Sequence, residues 1–222
     1  RWVLKKASHP EKDQSYALYS LTQSQISHTI FPVGDLSKRE VRSLAMGAGL
    51  PVYQKPDSQD ICFVVKGSYA DFLRERCPES FEPGPIVDRR GSVLGQHSGI
   101  ANYTVGQRKG LGVCAGKPLY VLEIRSQDAT VVAGKWEESL ASGLTATGCN
   151  WIAFEDLTEP LLVDAKIRYR AEPVRCTLEP VSSGRAKAIF CEPQRAITPG
   201  QAAVFYLGDV VLGGGTIEHA IW

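Results

Sequence analysis

The C-terminal third of the chain carries the strongest constraint on its fold. Six apolar-alternating runs follow one another there: LTATGCNWIAF, LLVDAKIRYR, VRCTLEPV, RAKAIFCEP, AAVFYLGDVVL and GTIEHAIW. Residues two apart share a face of a strand, so each run has one face to bury. Turn residues separate the runs at short intervals. Consecutive strands of this kind hide their faces and edges together by curling into a closed or nearly closed β-barrel. Residues 138–222 are therefore expected to form a C-terminal antiparallel barrel. The triple glycine at 213–215 reads as a tight turn or bulge before the last strand.

Upstream the punctuation tightens. Between residues 66 and 137, glycine and proline break the chain into PIVD, SVLG, YTVG, LYVLEI and TVVAG, which suit a small antiparallel sheet. GSYADFLRER (67–76) reads as a short helix beside it, and ICFVV (61–65) as a strand. The first 65 residues are more helical. Apolar spacing in DQSYALYSLTQSQISHT (13–29) is mixed but mostly helical, with Asp13 placed to cap it. SKREVRSLAMGA (37–48) has Ser37 as N-cap, Glu40 completing a capping box, and Gly49 as the stop. LPVYQKP is expected to be extended, because Pro56 disfavours helix at Lys55. The fold class is thus multidomain α+β: a helical N-terminal piece (1–65), a small α+β module (66–137) and the barrel (138–222).

Composition narrows the function classes. A net charge of +1 excludes a generally basic RNA-coating protein but leaves room for a local basic patch. No run of 18 apolar residues occurs, so no helical membrane span is expected. The chain opens RWVLKKASHP, with no initiator Met and no signal-peptide pattern, which suggests a segment starting inside a longer protein. Six cysteines stand at 62, 77, 114, 149, 176 and 191. Their wide spacing and the lack of any CxxC argue against a disulfide scaffold or a zinc site.

Cys62 lies in KPDSQDICFV (55–64), where the polar, turn-prone Pro56-Asp57-Ser58-Gln59-Asp60 feeds an apolar strand. It is either a packed core thiol or a presented nucleophile. The nearby carboxylates of Asp57 and Asp60 disfavour a thiolate, so an activating charge would have to come from elsewhere in the fold. Cys149, Cys176 and Cys191 lie inside barrel runs and are expected to be protected. VGQRKGLG (105–112) is basic and glycine-flanked, so Arg108 and Lys109 either hold phosphates or decorate a solvated turn. KIRYR (166–170) reads as an amphipathic strand with solvated arginines unless it meets a ligand. None of His9, His28, His97 and His219 sits in a metal or catalytic-base motif. Trp2, Trp136, Trp151 and Trp222 are taken as packing residues.

Eight blocks in order give the chain a resemblance to the tRNA-specific 2-thiouridylases. They are KDQSYALYSL (12–21), FPVGDLSKREVR (31–42), KPDSQDICFV (55–64), GPIVD (84–88), NYTVGQRKGLGV (102–113), PLYVLEI (118–124), KIRYR (166–170) and RAITPGQAAVFYLGDVVLGGGTI (195–217). The resemblance implies ATP-dependent 2-thiolation of the wobble uridine of tRNA, in the cytoplasm, with no membrane partner. ATP adenylates a uracil oxygen that leaves as AMP. The sulfur is carried as a persulfide on the cysteine matching Cys62, loaded by an upstream sulfur-donor protein and released by a second cysteine through a disulfide.

It also implies tRNA contacts at Lys12, Asp13, Gln14, Arg168, Tyr169 and Gln201. Residues 1–65 would be the tail of an α/β adenine-nucleotide-binding domain. The family's ATP-pyrophosphatase loop and second cysteine match nothing in this sequence, so these residues alone are expected to be inactive. GLGVCAG (110–116) lacks the spacing and lysine of a phosphate loop. Three other readings stand beside this one. The first is a non-catalytic RNA-binding module on a translation-factor-like barrel, with Cys62 passive. The second is a cysteine hydrolase, for which no histidine partner motif is seen. The third is a methyltransferase, for which no methyl-donor loop is seen.

Overall fold

The computed structural model describes residues 1–55, 69–113 and 116–222. Cys62 with its loop, the ICFVV run and Cys114 lie outside the described residues. The architecture is α+β, and contacts divide it into two compact units. One unit comprises Arg1–Asp57, Ser142–Pro193 and Pro199–Ile221; the other comprises Ser58–Ala141, Gln194–Thr198 and Trp222.

The first unit is built on the barrel. Strands β6 (Leu140–Trp151), β7 (Leu161–Lys166), β8 (Val174–Ser182), β9 (Arg185–Arg195), β10 (Ala202–Leu207) and β11 (Val210–Ile221) form one sheet. A short β1 (Leu4–Lys5) adds to β11, and the sheet order is β1-β11-β10-β7-β8-β9-β6. Antiparallel pairing of β11 with β6 closes it. The period-2 pattern does what it should in β8 and β9. Cys176 and Leu178 point inward from one, and Ala186, Ala188 and Phe190 from the other. Small inward residues such as Ala146, Ala165, Ala186, Ala188 and Ala203 leave a narrow, filled interior.

Two expectations about these strands are corrected. AAVFYLGDVVL is not one run: Gly208, at φ 62°, turns the chain, and VVL joins GGGTIEHAI in the long β11. The glycine triplet therefore lies within β11 and not before it; the pairing with β10 shifts register just ahead of it, and the pairing with β6 shifts between Gly214 and Thr216. A Cβ at Gly214 would stand 2.6 Å from the Ala203 carbonyl oxygen and 2.8 Å from the Tyr19 ring, so glycine lets that ring approach the barrel wall.

Strand β10 is buried on both faces, which is why AAVFYL reads as a continuous apolar run. Phe205 faces Trp151 inside the barrel, with ring centroids 6.0 Å apart. Val204 and Tyr206 face outward, under a layer of Leu4, Ile26, Tyr16, Leu18, Tyr19 and Leu21. That layer is not the single helix expected over 13–29. It is two short helices, α1 (Ser15–Leu18) and α2 (Gln23–Ser27), separated by a kink that Thr22 makes possible. Thr22 and Gln25 form a complete capping box, so the chain restarts a helix there instead of continuing one.

Helix α3 (Lys38–Gly47) has the Ser37–Glu40 capping box foreseen, and Gly49 stops it at φ 70°. None of its residues is buried, and Leu44, Met46, Leu50 and Val52 are exposed apolar side chains on or just after it. Residues 51–54 form turns and are not extended.

The second unit holds a four-stranded sheet in the order β3-β2-β5-β4. Its strands are β2 (Gly84–Val87), β3 (Val93–His97), β4 (Tyr120–Arg125) and β5 (Thr130–Gly134). It is mixed, because β2 and β5 run parallel, and YTVG forms a turn instead of a strand. Ile86, Val121, Val131 and Ala133 pack one face with Leu111; Val87, Leu122 and Val132 pack the other. Helix α4 (Tyr69–Arg76) precedes it. His97 is buried at its edge: Nε2–H donates to the Ala129 carbonyl at 2.7 Å, and Nδ1 accepts from Gly99 N–H at 3.0 Å. That pair of bonds fixes the tautomer.

Of the four tryptophans only Trp151 is a buried packing residue. Trp2, Trp136 and Trp222 are exposed. Trp136 carries the Arg195 guanidinium over its ring at 5.3 Å, and Trp222 carries Arg89 at 4.0 Å. Exposed aromatic rings can thus be held by cations and not by a core.

Candidate nucleic-acid interface

The side chains of one surface of the barrel unit are assembled from three distant stretches. KDQSY arrives from a 3-10 turn at Pro10–Lys12 that leads into α1. KIRYR arrives as the end of β7 and the turn after it. It is not a strand throughout, since β7 ends at Lys166 and Arg168 to Arg170 curve away. TPGQ arrives from the loop that opens β10.

The first two stretches meet directly. Gln14 Nε2 donates to the Tyr169 hydroxyl at 2.6 Å. The Tyr169 ring meets Tyr16 edge-to-face with centroids 6.1 Å apart. Lys166 Nζ stands 5.9 Å from the Tyr16 ring centre and 5.8 Å from that of Tyr169. Tyr16 is anchored in turn, its hydroxyl donating to the Ala202 carbonyl at 2.9 Å. Burial pushes the Tyr16 phenol up from its ordinary range; the neighbouring Tyr19 adds to this, and the Arg168 charge opposes it. Arg168 itself is half-buried, and the Tyr169 ring is 45% exposed. The arrangement offers an aromatic edge, a lysine and an amide on one surface, the groups that suit a base or ribose beside phosphate.

The remaining residues fall as follows. Lys12 is exposed at the end of the 3-10 turn. Gln201 is exposed, its carbonyl accepting from Ile217 N–H at 2.7 Å, directly before the Ala202 that holds Tyr16. Asp13 behaves differently. Its Oδ1 accepts from the Ala7 and Ser15 amides, each at 3.1 Å, and its Oδ2 accepts from the Ser15 hydroxyl at 2.7 Å. It braces the entry to α1 instead of capping a long helix.

Arg108 and Lys109 belong to the other unit, exposed on a loop between Gly106 and Gly110, both at positive φ. Gln107 pins that loop, accepting from Thr104 N–H at 3.0 Å and donating to the Lys109 carbonyl at 2.9 Å. Sequence reasoning missed Ser15, Tyr16, Lys166 and Tyr206. Lys166 and Tyr16 lie inside segments already singled out. Ser15 stands two residues after an aspartate, the spacing of a side-chain turn.

The described cysteines, Cys77, Cys149, Cys176 and Cys191, are all free. Burial pushes the Cys149 thiol up to about 11 and the Cys176 thiol up to about 12. Cys191 is exposed, contrary to expectation. In β9 the even positions face inward, so an odd-numbered cysteine there faces solvent. Among the described residues, no group of three His, Cys, Asp or Glu could hold a metal ion, and no helix is long and apolar enough to cross a membrane.

Three family models match the chain in succession. Residues 1–66 match a tRNA methyl transferase HUP domain, residues 70–135 a tRNA methyl transferase PRC-barrel domain, and residues 141–217 an aminomethyltransferase beta-barrel domain. The curated relatives carry a different activity in their names. The chain is 51% identical over 221 residues to a tRNA-specific 2-thiouridylase MnmA of Symbiobacterium thermophilum, covering 100% of this chain and 57% of that protein. It is 50% identical over 218 residues to a tRNA-specific 2-thiouridylase MnmA of Moorella thermoacetica, covering 98% of this chain and 61% of that protein. Against the tRNA-specific 2-thiouridylase MnmA of Clostridioides difficile it is 47% identical over 221 residues, covering 100% of this chain and 61% of that protein. The chain therefore spans about three fifths of the length of these relatives. With three successive domain models matched and about half of its residues shared with these proteins, the chain belongs to the tRNA-specific 2-thiouridylase family and corresponds to the C-terminal part of its members.

Proposed function

We propose that this chain is the tRNA-docking and sulfur-carrying part of a tRNA-uridine 2-sulfurtransferase acting on the wobble uridine. The observation that carries the reading is the meeting of Gln14 and Tyr169, 155 residues apart in sequence, at one surface. Both lie in segments that resemble the tRNA-contacting segments of the 2-thiouridylases. The relatives' names, at about half identity, support a thiolation role.

In this reading residues 1–65 complete the adenine-nucleotide-binding domain, 66–137 form a central module and 138–222 the barrel. ATP, held by the family's pyrophosphatase loop, adenylates the uracil oxygen. The terminal sulfur of a Cys62 persulfide attacks the ring carbon, and the carbon–oxygen bond breaks with AMP as leaving group. The thiolate of a second cysteine then attacks the Cys62 sulfur. The sulfur–sulfur bond to the substrate breaks, thiouridine departs, and a protein disulfide remains. A persulfide suits this step because it is more acidic and more nucleophilic than a thiol. Lys12, Gln14, Arg168, Tyr169 and Gln201 hold the RNA, Arg108 and Lys109 add phosphate contacts, and a separate sulfur-donor protein reloads Cys62. The reaction takes place in the cytoplasm.

The test is ATP-dependent thiolation of tRNA by the full-length protein and by its Cys62→Ser variant. Thiolation by the first alone, with ATP binding kept in both, is expected. A Cys62→Ser protein that still thiolates would overturn the sulfur assignment. These 222 residues by themselves are expected to bind no ATP, and a micromolar affinity in calorimetry would contradict that.

A further inference from the structure

Asp13 sits in the segment expected to touch RNA, yet its carboxylate is turned into the protein. Three donors converge on it: the Ala7 amide, the Ser15 amide and the Ser15 hydroxyl. Ser15 is buried, and its Oγ lies 3.3 Å from the Tyr206 hydroxyl. Proton accounting orients this contact. Ser15 has one O–H, given to Asp13 at 2.7 Å, so Tyr206 is the donor and Ser15 the acceptor.

Tyr206 is 1% exposed and sits on β10 among Leu4, Ile26, Ile152, Val204 and Val211, a position rigid enough to serve as a reference point. Lys6 Nζ lies 4.5 Å over its ring and donates to the Gly208 carbonyl at 3.0 Å. Gln14, the residue between the two ends of this chain of bonds, is the one whose amide reaches Tyr169.

We propose that Tyr206, Ser15 and Asp13 form a positioning relay that fixes the backbone of residue 14 relative to the barrel and so aims the Gln14–Tyr169 pair at the RNA. Asp13 touches no phosphate in this arrangement. Its hydrogen-bonded carboxylate is an internal strut, which also keeps a negative charge from facing the ligand. The proposal rests on the reading of this surface as the tRNA-docking face, but half of its test does not need RNA.

The experiment uses the full-length protein and its Tyr206→Phe, Ser15→Ala and Gln14→Ala variants, with the Tyr206→Phe/Gln14→Ala double variant. The first measurement is the side-chain amide signal of Gln14 by nuclear magnetic resonance, without RNA. Tyr206→Phe and Ser15→Ala are expected to move it toward the position of a solvated glutamine, while thermal unfolding stays cooperative. The second is tRNA affinity by filter binding. Tyr206→Phe is expected to weaken it about 3-fold to 10-fold, the range of one hydrogen bond, and to have no further effect once Gln14 is alanine. A merely structural role would make the two losses additive. An unmoved Gln14 signal, or additive losses, would overturn the relay. A moved signal with no tRNA binding by the parent protein would uphold the relay and remove the docking reading instead.

Discussion

The Gln14 amide and the Tyr169 hydroxyl lie 2.6 Å apart across 155 residues of sequence. Such a bond between two exposed side chains contributes little to stability, because both groups are well solvated when apart. Its consequence is geometric. It fixes the ring of Tyr169 beside Lys166 and Tyr16, so that the surface is preformed and not assembled when a ligand arrives.

Arg168 is the cation on which the salt dependence of this surface should turn. If it neutralises one phosphate, Arg168→Ala flattens the slope of log affinity against log salt by about 0.7–0.9. Filter binding of tRNA from about 50 to about 500 mM salt, one decade, measures it. An unchanged slope would make Arg168 a structural prop for the turn after β7.

The four described thiols should react in the order set by exposure. Native alkylation followed by mass mapping is expected to label Cys191 first, the half-buried Cys77 and Cys149 more slowly, and Cys176 only on unfolding. With thiols pushed up to about 11 and about 12, raising the pH from 7 to 9 should not make Cys149 or Cys176 competitive. Cys62, if it carries sulfur, joins Cys191 among the fast group. Labelling of Cys176 ahead of Cys191 would contradict the barrel register.

Alkaline stability should report on Tyr206. Burial raises its phenol from 10.0 to about 12, so the folded state holds the proton more tightly than the unfolded state. Stability from this group is complete below pH 10 and is lost as pH rises from 10 through about 12. Urea midpoints measured from pH 9 to 12 are expected to fall less steeply in Tyr206→Phe than in the parent. Parallel curves would show that the phenol is not buried in solution.

His97 should matter for folding and not for chemistry. His97→Phe strands the Ala129 carbonyl and the Gly99 N–H, at a cost of about 1–3 kcal/mol for each group left unpaired. The expected signature is an earlier urea transition of the four-stranded unit, with tRNA affinity at low denaturant unchanged. A variant as stable as the parent would mean that water replaces both bonds.

Where one rule governed a segment, the fold could be read from it. Ser37 and Glu40 gave the start of α3 because capping is local, and alternation gave the barrel because six runs repeat the same period. The errors lie where two rules compete. Thr22 and Gln25 break an otherwise helical pattern, and local spacing could not rank that capping box above the apolar periodicity. Cys191 departs from the expectation that a cysteine within a barrel run is protected, because its odd position beside inward Ala186, Ala188 and Phe190 turns it to solvent. The candidate surface was legible only in parts. Nothing in the chain order of KDQSY and KIRYR says that they touch, because that contact is made by barrel closure and by Tyr206, which looks like an ordinary core residue.

The pairing of Leu4 with Val211 has a consequence for the order of events on the ribosome. Lys6 and its partner Gly208 are separated by 202 residues, so at about 5–20 residues per second β1 waits roughly 10–40 s for the strand it will join. During that time Leu4, Tyr16 and Tyr19 have no barrel wall to cover them, and the whole central sheet can form first. On the nascent chain, the apolar side chains of Leu4, Tyr16 and Tyr19 are therefore expected to need a chaperone's shelter until β10 and β11 have emerged.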